Sequence, residues 1–266
     1  QAVTRQMTRN FLNGGAGVNV LCRSSGMDLR VVDAGCAGGP YEPHELLIDR
    51  RLGDGTADIS KGPAMSRETC LQGLRHGIAL VEEFADKGYR CFGTGEMGIG
   101  NTTTSSAVLA VLLDAPVETV TGRGGGVTDE AFARKKAVIQ KAIAINAPDR
   151  NDALDVLAKV GGFDLAAMCG AFLGAAATRR PVVIDGLISA VAALCACRIC
   201  PDVRAYLVPS HASYEIGYKL AMDEMGLEPM LLLGMRLGEG SGCPLTFEVL
   251  DAACAIINDM ATFDEA

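Results

Sequence analysis

Short apolar runs alternate with longer helical segments along most of the chain. The runs at 28–33, 89–92, 181–185, 206–209 and 230–233 are apolar on both faces, which is typical of strands buried in a parallel sheet. Between and around these runs, periodicity and capping residues predict helices at 4–21, 66–81, 107–113, 128–145, 151–160, 164–177, from 186 onward, and at 246–257. Residues 36–63 are glycine-rich and lack periodicity, so they predict a long loop of the kind that covers a site.

This alternation predicts an α/β fold with a mainly parallel sheet and helices on both faces, a Rossmann-like three-layer arrangement. We expect one domain over 1–266, in which segments 1–25 and 243–266 form a small helical part from the chain ends. Ligands of such folds bind at the carboxyl ends of the strands. Because Glu96, Asp185, Ser213 and Glu239 each follow a predicted strand, we expect them to converge on one edge of the sheet.

The length and composition agree with a soluble enzyme of one main domain. A chain of 266 residues that is 49% hydrophobic can bury a large core. Its net charge of −8 gives no electrostatic footprint for nucleic acid or for an anionic membrane surface. No apolar stretch reaches the roughly 18 residues of a membrane span. The short basic run 134–136 predicts a solvated helix face, with help in binding a substrate phosphate as the alternative.

Cysteine usage predicts a reduced, cytoplasmic compartment, because ten cysteines accompany no visible secretory signal. Cys195, Cys197 and Cys200 could supply three thiolates to zinc or to an iron–sulfur cluster. However, no fourth ligand is nearby, and Cys195 and Cys197 project from different faces of a predicted helix. We therefore interpret these cysteines as small buried hydrophobic residues, and we expect neither a metal nor a cofactor.

Residues 93–106 are the best candidate for the working centre, because they do little for a core. They contain four glycines, Glu96 and a run of small polar side chains, and they lead from a predicted strand into a predicted helix. Free N–H groups and the helix dipole at such a start favour a phosphate or carboxylate. The alternative is an ordinary turn with Asn101 or Thr102 as the N-cap. The match to G-x-G-x-x-G is weak, since Glu96 would repel a dinucleotide pyrophosphate.

The chain resembles the nicotinate-nucleotide:dimethylbenzimidazole phosphoribosyltransferases. The resemblance is carried by five motifs: GEMGIGNTT at 95–103, GRGGG at 122–126, VIDG at 183–186, SHAS at 210–213 and LGMRLGEGSG at 233–242. It covers nearly the whole chain in order. It implies transfer of the 5-phosphoribosyl group from nicotinate mononucleotide to a benzimidazole-type base, which releases nicotinate and gives an α-ribazole phosphate-like product for cobamide lower-ligand assembly.

The resemblance also implies the roles of individual residues. Glu239 occupies the position of the base that accepts the azole proton, and Glu96 is a second catalytic carboxylate. From the residues alone, Glu239 is more simply a glutamate at a helix N-terminus, and Glu96 a capping residue. Asp185 either orients a ribose hydroxyl or caps the helix that follows it. The full set of expected substrate contacts is Gln6, Gly98, Gly100, Asn101, Thr102, Arg123, Gly124, Asp185, Gly186, Ser213 and Gly238.

The sequence departs from the family pattern near its start. The resemblance begins at Val3, whereas family members carry a further N-terminal part that lines the azole pocket. Gln6 matches a residue at the edge of that pocket. One hypothesis is a working transferase whose pocket is completed by residues upstream of Gln1 or by a partner subunit. The other is a non-catalytic nucleotide- or ribazole-binding homologue that has lost the acceptor pocket. We also expect a homodimer, the commonest way to cover an exposed apolar patch.

Overall fold

The strands form two parallel sheets. A computed structural model describes residues 2–123 and 128–264. Strands β1 (Val31–Asp33) and β2 (Leu47–Asp49) pair in parallel near the N-terminus. Strands β3 (Phe92–Gly93), β4 (Val182–Ile184) and β5 (Leu207–Pro209) form a second parallel sheet in the order β3-β4-β5. The predicted α/β class and the parallel sheet are confirmed.

Helices make up most of the remaining structure. Their bounds are α1 Ala2–Leu12, α2 Gly17–Ser24, α3 Arg67–Asp86, α4 Asn101–Leu113, α5 Val117–Val120, α6 Asp129–Asn146, α7 Ala153–Val160, α8 Phe163–Ala177, α9 Leu187–Ile199, α10 Ile216–Met225 and α11 Gly242–Asp259, with a 3₁₀ helix at Pro201–Tyr206. Within residues 2–123 and 128–264, no helix combines the length and apolar character needed to cross a membrane.

Helix α3 shows how the sequence fixes these elements. Ser66 lies just before the helix, and its hydroxyl accepts a hydrogen bond from the Thr69 N–H at 3.0 Å, as an N-cap does. The buried residues recur with helical spacing: Cys70, Gly73, Leu74, Gly77 and Val81. This stripe packs on α8 with the two backbones almost in contact. A β-carbon at Gly170 would lie 2.0 Å from the Leu74 carbonyl oxygen, and one at Gly174 would lie 2.9 Å from the Ile78 Cα.

The core lies around α4, α8 and α9. Every residue from 105 to 112 in α4 and from 187 to 196 in α9 is buried, which explains why neither segment shows an amphipathic pattern. A second, small cluster of buried residues lies in the N-terminal part: Phe11, Ala16, Val18 and Cys22.

Three predicted elements differ in the structure. The helix expected over 4–21 is interrupted between α1 and α2, where Gly14 has a φ of +74°. Strand β2 lies inside the predicted loop 36–63. The strand expected at 230–233 is reduced to a single bridge between His211 and Leu231, and the next residues, Leu232 and Leu233, are largely exposed. Helices α2 and α11 lie against each other; the single domain and its small helical part from the chain ends stay predictions.

Candidate active site

The carboxyl ends of β3, β4 and β5 bring distant residues together. Glu96 follows β3, Asp185 follows β4 and Ser210 follows β5. The loop that carries Glu239 closes over this edge, since the Gly240 N–H donates to Asp185 Oδ2 at 3.0 Å. This placement agrees with the convergence expected from the parallel strands.

A cavity of about 790 Å³ opens at this edge. The two expected catalytic carboxylates, Glu96 and Glu239, both line it. The predicted contacts Gly98, Gly100 and Asn101 line it as well. Apolar side chains from several elements complete the wall: Phe11, Val18, Met97, Ile99, Phe163 and Phe247. A cavity with apolar walls and two convergent carboxylates suits a flat aromatic ligand that carries a polar or cationic group.

Glu239 has an unusual backbone conformation. Its φ is +64°, and it lies between Gly238 at +79° and Gly240 at +86°. A left-handed residue other than glycine is uncommon, and it persists only where the surrounding structure fixes it. The carboxylate Oε2 accepts a hydrogen bond from the Val18 N–H at 3.4 Å, in the first turn of α2. The Glu239 carboxylate therefore lies at the N-terminal end of α2.

Asp185 lies beneath the Glu239 loop and is only 2% exposed. Its carboxylate accepts hydrogen bonds from the N–H groups of Gly240, at 3.0 Å, and Gly242, at 2.8 Å. The Nδ1 atom of His211 lies 3.8 Å from Asp185 Oδ1. Burial raises the pKa of Asp185 and lowers the pKa of His211. Because its carboxylate is buried and already engaged by the loop, this placement argues against the ribose contact expected of Asp185.

Glu96 is coupled to a further acid through Asn101. The Asn101 side-chain amide donates to Glu96 Oε2 and to Asp164 Oδ2, the latter at 3.1 Å. Burial raises the pKa of Glu96 to about 7, the Asn101 hydrogen bond opposes this shift, and the charges of Asp164, Asp185 and Glu239 add to it. Glu96 can therefore exchange a proton near neutral pH.

The N-terminus of α4 is a candidate anion site. Its N-cap is Gly100, with φ +99°, rather than Asn101 or Thr102, so no side chain caps the helix. Nearby, Lys135 Nζ donates to Thr102 Oγ1 at 3.0 Å and to the Gly122 carbonyl at 3.1 Å. Burial lowers the pKa of Lys135. An uncapped helix start beside a half-buried ammonium group suits a phosphate.

The other expected contacts are spread around this edge. Gln6 is exposed on α1, and Arg123 is exposed and pairs with Asp129 at 2.5 Å. A β-carbon at Gly186 would lie 3.8 Å from Ser213 Oγ, so these two residues are neighbours. Gly238 lies beside Glu96: a β-carbon there would be 3.5 Å from Glu96 Oε1. Gly124 lies outside the described residues.

Sequence analysis missed two residues of the site. Asp164 was expected only within a helix; it lies in the first turn of α8 and reaches Glu96 through Asn101. Lys135 belongs to the basic run 134–136, and the less favoured interpretation of that run, help with a phosphate, suits its position. In the part of the chain that the structure describes, no group of three or more His, Cys, Asp and Glu side chains is placed to hold a metal ion.

Several known proteins resemble this chain over its whole length. A family model described as phosphoribosyltransferase matches residues 1–266. The nicotinate-nucleotide–dimethylbenzimidazole phosphoribosyltransferase of Roseiflexus sp. is 52% identical over 264 residues, which are 99% of this chain and 74% of the relative. The enzyme of that name from Nitratidesulfovibrio vulgaris is 50% identical over 268 residues, with 100% and 75% covered. The crystal structure of CobT from Thermus thermophilus superposes with a TM-score of 0.95 at 38% identity and covers all of this chain and 79% of its own. The chain therefore belongs to the nicotinate-nucleotide–dimethylbenzimidazole phosphoribosyltransferase family.

Proposed function

We propose that this protein transfers the 5-phosphoribosyl group of nicotinate mononucleotide to a ring nitrogen of a benzimidazole-type base. The products are nicotinate and an α-ribazole phosphate-like nucleotide, as needed for cobamide lower-ligand assembly. The observation that carries this proposal is that Glu96 and Glu239 line one cavity in a chain about 50% identical to enzymes of this name. The same observation favours catalysis over a binding homologue, because a protein that only binds has no need of a base for the azole.

The reaction requires a base, a negative charge near the sugar and correctly positioned substrates. The bond from the ribose C1′ to the pyridinium nitrogen breaks, and its electron pair leaves with nicotinate. The azole nitrogen forms the new bond to C1′, and its N–H proton goes to Glu239 as general base. Negative charge on Glu96 would stabilise the cationic, oxocarbenium-like sugar between the two rings. The leaving nitrogen becomes neutral as it departs, so this step needs no Lewis acid.

We assign the phosphate to the start of α4. The assignment rests on the uncapped N-terminus at Gly100, on Thr102 and on the half-buried Lys135. Arg123 directly follows Gly122, whose carbonyl accepts a hydrogen bond from Lys135. Gly98 and Asn101 line the cavity next to this helix start, and Gly186 and Ser213 remain proposed substrate contacts. Gln6 remains a proposed contact at the acceptor side.

We further propose a homodimer in the cytoplasm. Helix α11 exposes the apolar residues Val249, Ile256 and Ile257, followed by Met260, and a second copy could cover this face. The ten cysteines are free thiols, which suits a reducing compartment. Light scattering would test the assembly, and a monomer at micromolar concentration would contradict it.

Turnover with defined substrates tests the proposed function. The protein is mixed with nicotinate mononucleotide and dimethylbenzimidazole, and chromatography follows both nicotinate and the azole nucleotide. We expect the two products in equal amounts, and the same rate in EDTA. Nicotinate without azole nucleotide would indicate hydrolysis. Binding of the mononucleotide with neither product would indicate the binding homologue instead.

A further inference from the structure

We propose that Asp185 is a positioning residue, which holds the loop that carries Glu239 in its left-handed conformation. The inference rests on the proposed function, since it assigns Asp185 a task only if Glu239 acts as the base. Asp185 itself does not line the cavity, and its side chain is only 3% exposed. It therefore acts through Glu239 rather than on the substrate.

The hydrogen bonds of Asp185 hold the C-terminal end of the strained part of the loop. One carboxylate oxygen accepts from the Gly240 N–H at 3.0 Å, and the other from the Gly242 N–H at 2.8 Å. Residues 238 to 240 are all left-handed, and the middle one is a glutamate, for which this conformation is costly. Such a conformation persists only where neighbouring groups determine it. The two bonds to Asp185 are placed to do so, directly after Glu239.

The backbone of Asp185 is itself held by hydrogen bonds to the small hydroxyl side chains of serine residues. Its N–H donates to Ser189 Oγ at 3.1 Å, and Ser189 Oγ lies 2.6 Å from Thr94 Oγ1. Ser210 Oγ donates to the Asp185 carbonyl at 3.2 Å. Thr94 precedes Glu96 by two residues. One buried network thus connects the loops of both catalytic carboxylates, and the Asp185 side chain joins it to the Glu239 loop.

The Asp185→Asn variant should release the loop while keeping the side-chain volume. An amide offers one acceptor oxygen and turns an NH₂ group toward the second loop N–H, so one of the two bonds is lost. A base displaced by about 1 Å can cost roughly a hundredfold in rate. We expect kcat to fall by about tenfold to a hundredfold, while KM for nicotinate mononucleotide stays within about threefold of the wild-type value.

A double-mutant cycle separates positioning from general damage. If Asp185 acts through the Glu239 carboxylate, the Asp185→Asn/Glu239→Gln double variant should be no more than about threefold slower than Glu239→Gln alone. Asp33→Asn is the control. Asp33 is also a buried strand-end aspartate, and its Oδ1 accepts backbone N–H bonds from Gly35 and Cys36. Its Oδ2 pairs with Arg51 at 2.8 Å, so the substitution disturbs a buried carboxylate that holds a different loop. Any effect of Asp33→Asn should multiply with that of Glu239→Gln.

The outcomes distinguish the two claims. Wild-type protein without turnover would overturn the proposed function itself. Active wild-type protein in which the Asp185→Asn and Glu239→Gln losses multiply would overturn only the positioning role. Thermal unfolding accompanies each assay, and Asp185→Ser, which avoids overpacking, replaces Asp185→Asn if the latter does not fold. Loss of the fold in both variants would also overturn the inference, because Asp185 would then serve the whole structure.

Discussion

Gly95 touches the backbone of Glu239. A β-carbon at Gly95 would lie 2.5 Å from the Glu239 carbonyl oxygen and 2.6 Å from the Gly240 Cα. Both of these atoms belong to the chain itself, so neither can rotate away as a side chain could. The loop after β3 and the loop before α11 therefore pack with no room for a methyl group, and each sets the position of the other.

Gly95→Ala should consequently lose most of its turnover. The new methyl group would push the two carboxylate-bearing loops apart, and we expect kcat to fall by about a hundredfold or more. Gly62→Ala is the control, because no atom lies within 4 Å of its would-be β-carbon. Steady-state kinetics of both variants would check this. Equal rates for Gly95→Ala and the wild type would show that the loops are not held by this contact.

Glu239→Gln should bind nicotinate mononucleotide nearly as well as the wild type but turn over roughly a hundredfold or more slowly. The amide keeps the shape of the side chain but cannot accept the azole proton. Calorimetric titration and product formation measure the two quantities. Glu248→Gln, exposed on α11, is the control. An unchanged rate for Glu239→Gln would remove Glu239 from the role of base.

Glu96 should make the free energy of unfolding depend on pH between about 4.5 and about 7. Its pKa in the folded protein is about 7, above the ordinary value of 4.5, chiefly because the carboxyl group is buried. The unfolded chain loses this proton first, so the contribution of Glu96 to stability is fully present below pH 4.5. It is lost as the pH rises toward 7, by about 3 kcal/mol in total.

Urea unfolding at pH 5 and pH 8 would measure this effect. Glu96→Gln removes the titrating group, so the stability of the wild type relative to this variant should decrease from pH 5 to pH 8. Glu82→Gln, exposed on α3, should leave the pH dependence as it is in the wild type. A difference between wild type and Glu96→Gln that does not change with pH would contradict the raised pKa.

Lys135→Met should weaken the binding of nicotinate mononucleotide. The substitution keeps the length of the side chain but removes the ammonium group beside the start of α4, and we expect KM to rise by about tenfold or more. Binding of nicotinate alone, which has no phosphate, should change little. Lys141→Met, on the exposed part of α6, serves as control. Equal losses for mononucleotide and nicotinate would place the phosphate elsewhere.

The sequence predicted what depends on local patterns and missed what depends on packing between distant segments. The cap at Ser66, the buried strand β4 and the position of Glu96 and Asp185 at strand ends follow from spacing and from parallel topology. Glu239 reaches the same edge on a loop, since the strand predicted at 230–233 is reduced to a single bridge. Strand β2 was missed because it lies inside the glycine-rich segment 36–63, whose composition indicates a loop. The break between α1 and α2 depends on Gly14, whose left-handed conformation apolar spacing does not reveal.

In the site, too, the contacts that the sequence did not predict join residues far apart in the chain. Asn101 meets Asp164, 63 residues further along the chain, only because α4 and α8 begin at the same edge. Lys135 reaches Thr102 because α6 packs on α4, and the basic run in which it lies gave no sign of its burial. Asp185 was expected at the right edge, but its partner could not be read from the sequence: the Gly240 N–H lies 55 residues away.

The contact of α3 with α8 has a consequence for comparing relatives. Gly170 and Gly174 do not line the cavity, yet neither tolerates a β-carbon, because the α3 backbone occupies that space. Selection should therefore preserve these two glycines as firmly as those beside Glu239, for reasons unrelated to chemistry. An invariant glycine among relatives of this chain is therefore not by itself a sign of a catalytic role. Close packing between two helices can preserve a glycine equally well.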